Sequence, residues 1–304
     1  MSGESRQRKI DWAKRSHRLF ILVMVVSLLL FGVASASEGV HWSYEGNTGP
    51  AYWGVLSPDY ALCASGQSQS PIDIPPSAAT NPADLGLTYN PSALNIFNNG
   101  HTIQVNYDPG SALKIDGDTY ELVQYHFHAA SEHTVSGKQR PMELHLVHKN
   151  AKNQLAVVGV FLEQGVENAA YAPIFNNLPA KEGEPHAVPG VKVDGDDLLP
   201  AVKTYWRYNG SLTTPPCTEG VKWLVMNTPV AVSAGQIGKY TAIYPNNARP
   251  VQPLGNRQFI VGQAPGLPTT GADLSNPVPI ALITSSGLML VVAGAYILRR
   301  RRVV

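Results

Sequence analysis

The stretch Gln124-Tyr125-His126-Phe127-His128 sets two imidazoles two residues apart among β-forming neighbours. Side chains at i and i+2 of a strand share one face, so His126 and His128 point the same way, with Gln124 beside them. His145 falls in the next strand-like run, Glu143-Leu144-His145-Leu146-Val147-His148, and Glu143 lies on its face. Pairing of the two runs would bring three imidazoles together. Three His ligands with one position left open is the donor set of catalytic zinc, whereas structural zinc takes four protein ligands. Gln124 and Glu143 stand where each can hold the free ring nitrogen of a ligand and fix its tautomer. A lone H-x-H is as well read as two surface histidines; the third histidine and the two partners turn the reading toward metal.

Such a cluster needs a sheet to hold it. Ile103 to Tyr107, Glu143 to His148 and Leu155 to Leu162 are short runs of strand formers, punctuated by Gly, Pro, Asn and Asp. The composition agrees: 27 Gly and 24 Pro, with 44% hydrophobic and 15% charged residues, suit a strand-rich domain with long loops. Helical signals are weak and short, as around 169–177. Between about 40 and 262 there is no internal repeat, no long heptad pattern and no Gly-rich phosphate loop. We therefore expect one mainly β domain built on a large, mostly antiparallel sheet.

The chain resembles the α-class carbonic anhydrases over most of residues 41–260. The likeness rests on several separated motifs in order: His41-Trp42, Tyr44 and Gly49-Pro50; Gln69-Ser70-Pro71-Ile72-Asp73-Ile74; Asn98-Asn99-Gly100-His101; Ser131-Glu132-His133-Thr134-Val135; the run from Glu143 to His148; Gly210-Ser211-Leu212-Thr213-Thr214-Pro215-Pro216; and Arg249-Pro250-Val251-Gln252-Pro253-Leu254. The resemblance implies a twisted sheet of about ten strands with zinc at the foot of a conical cleft, and reversible hydration of carbon dioxide to bicarbonate by a zinc-bound hydroxide.

It also implies roles, position by position. The zinc ligands fall on His126, His128 and His145. Thr213 matches the threonine that orients the hydroxide and Glu132 the carboxylate that takes the threonine's proton; Thr214 lies on the cleft floor. Val147, Val157, Leu212, Val221 and Trp223 match the apolar wall that seats carbon dioxide. His101 matches the proton shuttle, and Tyr44, Asn99 and Gln104 match positions that hold its water path. Gln104 departs from the Asn common in animal members, and Ala129 stands where those members carry Trp. His133 and His148 match positions that support the core by hydrogen bonds. His186, in the loop after Gly183, has no assigned role. Two other functions could use this framework: an esterase using the same hydroxide, and a non-enzymatic surface module. The second is disfavoured because the three ligands, Thr213, Glu132 and His101 are all intact.

The two ends read as addresses. Residues 1–18 are polar and basic, Leu19 to Val33 is a fifteen-residue apolar run, and Ala34-Ser35-Ala36 supplies small residues for cleavage. This is the three-part pattern of a signal peptide, expected to span 1–36. An uncleaved anchor is the alternative, but the run is short of the roughly 20 residues a span needs. Residues 265–304 contain Leu267-Pro268-Thr269-Thr270-Gly271, a 21-residue apolar segment from Val278 to Leu298, and four arginines, Arg299 to Arg302. These three parts in order resemble an LPxTG cell-wall sorting signal. The resemblance implies sortase and peptidoglycan as partners, with attachment at Thr270. An ordinary membrane anchor through 278–298 is the alternative, and either keeps the catalytic domain, 37–264, outside the membrane.

The net charge of +1 conceals an uneven distribution. Ten of the 23 basic residues lie in the end segments, leaving 37–271 with thirteen basic and nineteen acidic residues, a net of −6. Nucleic acid is not an expected partner for such a body. Cys63 and Cys217 are the two cysteines. An exported domain favours a disulfide between them over two buried thiols.

Overall fold

A computed structural model of the protein describes residues 40–81 and 85–260. Twelve strands occur among them: β1 (Asp73–Ile74), β2 (Leu87–Thr88), β3 (Ser92–Asn98), β4 (Ile103–Asn106), β5 (Ala112–Ile115), β6 (Asp118–His128), β7 (Thr134–Val135), β8 (Met142–Lys149), β9 (Leu155–Gly165), β10 (His186–Val193), β11 (Tyr205–Ser211) and β12 (Glu219–Ser233). Ten of them form one sheet, whose main path runs β10-β3-β4-β6-β8-β9-β12-β11; β5 joins it at β6 and β2 pairs with β5. The sheet is antiparallel except where β12 runs parallel to β9. β1 and β7 form a small parallel pair. The expected mainly β fold with about ten mostly antiparallel strands is the fold observed.

Alternation along the central strands separates two cores. On one face Ile103, Val105, Tyr125, Phe127, Leu144, Leu146, Val158, Val160, Leu224 and Met226 join a large apolar cluster. On the other, Val147, Val157, Phe161, Val221, Trp223 and Val225 join a smaller one with Ile72, Ile74 and Tyr208. Period-2 side-chain geometry then assigns Gln104, Gln124, His126, His128, Glu143 and His145 to the smaller cluster's face. A one-residue register slip would exchange those polar residues with the apolar core, so the large core itself fixes the site's orientation.

Among the described residues, four short α-helices accompany the sheet: α1 (Trp53–Leu56), α2 (Leu62–Ser65), α3 (Ala172–Phe175) and α4 (Ala234–Thr241). The helical signal near 169–177 becomes α3. The eight-residue α4 was not anticipated, because Gly235 and Gly238 lower its propensity. A capping box holds it instead: Gln236 N–H donates to Ser233 Oγ at 3.2 Å, and Ser233 N–H donates to Gln236 Oε1 at 2.9 Å. His186 is not in a loop: it opens β10 and pairs with Ile96 on β3. The sequence there carried no alternation to reveal this, since β10 is mostly exposed.

Among the described residues no helix is long and apolar enough to cross a membrane. The expected signal peptide, the 278–298 span and the sorting motif with Thr270 lie outside the described residues.

Candidate active site

His126 and His145 are direct partners across the β6–β8 ladder, which places one imidazole of each strand opposite the other. His128 lies two residues further along the same face of β6. The ring centroids of His126, His128 and His145 are 5.1, 5.3 and 4.6 Å apart pairwise. One donor nitrogen from each lies within 4.8 Å of the others.

The outward-facing nitrogens are engaged by the protein. His126 Nδ1 is 2.8 Å from Gln124 Oε1, His128 Nδ1 is 2.8 Å from the Asn247 carbonyl, and His145 Nε2 is 2.9 Å from Glu143 Oε1. These bonds leave Nε2 of His126, Nε2 of His128 and Nδ1 of His145 for the cluster's centre. Burial lowers the pKa of His126 well below the ordinary histidine range, and the neighbouring His128 and His145 push it the same way. Burial likewise lowers that of His128, against the pull of Glu132. Burial thus favours the neutral form of His126 and His128, the form a metal ligand requires.

Zinc fits these residues. His128 Nε2 is buried and has no hydrogen-bond partner, a costly state for a polar atom. It is one of three imidazole nitrogens aimed at one point, the donor type and number of a catalytic zinc. A second trio, His133, Glu143 and His145, also comes within ligand range. Its atoms are already bonded to one another: Glu143 Oε1 lies 2.7 Å from His133 Nδ1 and 2.9 Å from His145 Nε2. Burial raises the Glu143 pKa, but His133 and His145 outweigh it and hold the carboxyl well below its usual range. Glu143 thus binds the nitrogen of His145 that faces away from the first trio.

Glu132 is fully buried, with Oε1 accepting the Arg249 backbone N–H at 2.8 Å. Its Oε2 has no hydrogen-bond partner and lies 3.9 Å from His145 Nδ1. The expected bond from Thr213 to Glu132 is not formed; the carboxylate is held from its other oxygen, and Oε2 remains the acceptor on offer. Thr213 is buried, and Thr214 is partly so. Their turn is closed by Cys217 N–H donating to the Thr214 carbonyl at 2.8 Å and by Leu212 N–H donating to the Thr218 carbonyl at 2.9 Å.

The five expected wall residues do come together. Val147, Val157, Val221 and Trp223 belong to one apolar cluster, and Leu212 packs against it. Trp223 brings this wall to the histidines: its ring lies 4.8 Å from that of His145.

His101 stands apart, with no hydrogen bond or ring contact to the three histidines among the described residues. Its ring stacks on Trp42 at 3.6 Å and 8°. Burial and His41 lower its pKa, while Glu182 raises it. Asn99 Oδ1 accepts the His101 and Thr102 N–H groups at 3.0 and 2.9 Å, and Asn99 Nδ2 reaches Gln104 Oε1 at 3.4 Å. Gln104 pairs with His126 across β4–β6, so these side chains lie between His101 and the cluster. The Tyr44 hydroxyl is buried without a partner, and burial, with Glu132 adding, pushes its pKa well up. Cys63 and Cys217 form the expected disulfide.

Asn247 was missed by sequence reading. Besides binding His128, its Oδ1 accepts the Ala129 N–H at 2.8 Å, and its Nδ2 donates to the carbonyls of His101 and Phe127 at 3.0 and 3.1 Å. No local pattern marks it, because all these partners lie more than a hundred residues away and only Tyr240, whose hydroxyl Asn247 Nδ2 reaches at 3.0 Å, is near in sequence.

The family model for eukaryotic-type carbonic anhydrase matches residues 48–262. A carbonic anhydrase of Nostoc sp. is 46% identical over 229 residues, covering 74% of this chain and 87% of that protein. A carbonic anhydrase of Pectobacterium carotovorum is 45% identical over 228 residues, covering 75% and 93%. The solved α-carbonic anhydrase of Thermovibrio ammonificans superposes with a TM-score of 0.70 at 41% identity, covering 74% of this chain and all of that one. The chain belongs to the α-class family of carbonic anhydrases and is an enzyme of that family.

Proposed function

We propose that the protein interconverts carbon dioxide and bicarbonate outside the cell membrane, using zinc held by His126, His128 and His145. The observation that carries the zinc reading is the buried, unpartnered Nε2 of His128 beside two further imidazoles. Zinc bound there supplies a Lewis acid that brings the pKa of a water to about 7 and so provides a nucleophile at neutral pH.

The chain's own residues do the rest. Gln124, Glu143 and the Asn247 carbonyl fix the tautomers of the ligands. A threonine hydroxyl can accept a hydrogen bond from the attacking oxygen when its own proton goes elsewhere. Thr213 fills that role, and Glu132 Oε2 is the free buried acceptor for its proton. Attack is thereby aimed at a small apolar substrate seated against Val147, Val157, Leu212, Val221 and Trp223. Thr214 contributes a polar group to the floor. Each hydration releases one proton, which His101 takes up through water held by Tyr44, Asn99 and Gln104 and passes to buffer.

The extracellular site rests on the sequence of both ends: the apolar run before Ala34-Ser35-Ala36, and the ordered pentapeptide, apolar segment and arginines. In this reading sortase joins Thr270 to peptidoglycan. Replacing His145 by Ala and assaying zinc content and hydration together tests the chemistry: both should be lost. Unchanged hydration in a zinc-free variant would reject it. Mass spectrometry of wall digests should find peptidoglycan on Thr270, and recovery of an intact C-terminal segment with the membrane would reject sorting.

A further inference from the structure

The loop bearing His101 is packed against a second loop whose carboxylate has no part in the reaction described above. Gly183 N–H donates to the Asn98 carbonyl at 3.0 Å, and Asn98 and Glu182 form an isolated parallel bridge. This pairing lays the Glu182 carboxylate over Gly100, immediately before His101. A Cβ on Gly100 would lie 3.2 Å from Glu182 Cδ and 3.3 Å from each carboxylate oxygen. Gly100 also has φ +88°, so both its backbone and the close approach require glycine. The loop is pinned from below, where Gly100 N–H donates to Asn98 Oδ1 at 2.9 Å and the Tyr244 hydroxyl bonds the same oxygen.

We propose that Glu182 is a positioning residue of the proton-exit path, whose carboxylate favours the imidazolium form of His101 as each proton leaves the cleft. The proposal rests on His101 being the shuttle. In each cycle one ring nitrogen of His101 accepts a proton from cleft water and the other gives one to a buffer base, so the ring returns to neutral. Two influences disfavour the charged ring: burial, and His41 on the N-terminal segment. Trp42 stacks on the ring without charge. Asn247 holds the His101 carbonyl at 3.0 Å, and Tyr244 lies beyond Asn98. Glu182 is the group that opposes burial and His41. Its field also reaches Tyr244, whose pKa burial, with Glu182 adding, pushes up to about 12. A proton acceptor works best when its pKa is near that of the donor. Without Glu182 the acceptor would be a weaker base.

The test uses the zinc-loaded protein with Glu182→Gln and Glu182→Lys, and Glu184→Gln as an exposed control on the same loop. NMR titration of the His101 ring reads the electrostatic link directly. His101 should titrate at lower pH in Glu182→Gln and lower still in Glu182→Lys, with Glu184→Gln close to wild type. In dilute buffer kcat should fall by about two- to fivefold in Glu182→Gln, as expected of a solvent-screened charge acting on a proton step. kcat/KM should be unchanged, and concentrated imidazole buffer should restore kcat. An unmoved His101 midpoint in both Glu182 variants overturns the proposal. A moved midpoint with unchanged kcat overturns its kinetic part. Assaying His101→Ala alongside isolates the underlying reading: if that variant also keeps full kcat in dilute buffer, His101 is not the shuttle.

Discussion

Oε1 of Glu143 lies 2.9 Å from Nε2 of His145, the ring nitrogen turned away from the ligand cluster. The same oxygen binds His133 Nδ1, and Oε2 accepts the His133 N–H at 2.9 Å. His133 Nε2 continues to the Tyr208 hydroxyl at 2.7 Å, and that hydroxyl to Ser70 Oγ at 2.8 Å. His145 is thus oriented through a buried chain reaching the Gln69-Ser70-Pro71 segment. Because the ligand's basicity depends on a charged acceptor, Glu143→Gln should weaken zinc binding by about 10- to 100-fold while leaving the fold intact. Competition with a chromogenic chelator measures it. Wild-type affinity in this variant would remove Glu143 from the site. Gly159→Ala should do similar damage, because its Cβ would lie 3.0 Å from Glu143 Oε1.

Thr213 and Glu132 act in series in the proposed reaction, so their effects should not add. Thr213→Val removes the hydroxyl and Glu132→Gln removes the charged acceptor. Each should lower kcat/KM by about tenfold or more, an electrostatic and orientational loss. The double variant should be little worse than the worse single one. Stopped-flow hydration with zinc content checked in each variant decides it; full multiplicativity would mean that the two residues work independently.

The strand periodicity made the histidine trio legible: His126, His128 and His145 need only adjacent antiparallel strands to meet, and β6 and β8 pair in that register. The five expected wall residues were reached by family likeness alone; Val147, Val157, Val221 and Trp223 cluster because their strands alternate in phase, and Leu212 packs on them from the turn after β11. Arg249 shows what sequence reading leaves out. Its backbone binds Glu132, Nη1 binds Gln69 Oε1 and the Ser70 carbonyl at 2.9 and 2.7 Å, and Nη2 binds the Cys63 carbonyl at 3.0 Å. The motif containing it was visible, but its partners lie more than a hundred residues away, and no local propensity encodes a contact of that range. Asn247 was illegible for the same reason. The capped helix α4 was lost to its glycines.

The disulfide joins residues 154 apart and sits where Arg249 meets the Thr213 turn. Gln69 Nε2 also donates to the Cys217 carbonyl at 3.0 Å. Chain entropy for a loop of this size gives about 4–5 kcal/mol. Cys63→Ala with Cys217→Ala should therefore lower unfolding stability by about 2–5 kcal/mol and loosen the Thr213 turn. Denaturant melts of the double variant against wild type test the first effect, and kcat/KM tests the second. An unchanged midpoint would show that buried packing alone holds this corner.

His148 gives the protein a defined acid sensitivity that does not depend on the metal. Its ring is fully buried, with Nε2 2.7 Å from the Tyr89 hydroxyl and Nδ1 3.3 Å from the Ala156 carbonyl. Burial lowers its pKa to about 4, from an ordinary value of 6.5, with the backbone carbonyls opposing. The unfolded chain binds a proton below about 6.5, while the folded protein does not until about 4, so between these values unfolding takes up protons. Stability therefore falls as the pH drops through that window and levels off below it. The slope approaches 1.4 kcal/mol per pH unit, and the whole window amounts to about 3 kcal/mol. The buried His126 and His128 act in the same direction, and zinc held by them would steepen the slope further because its ligands take up protons once unfolding releases it, so the quantity to measure is the difference between wild type and variant under one metal condition. Urea unfolding of wild type and His148→Gln between pH 7 and pH 4.5 should give curves that converge toward acid, the wild-type slope exceeding that of the variant by up to about 1.4 kcal/mol per pH unit. Parallel curves would mean that His148 does not titrate between the two states as its burial requires.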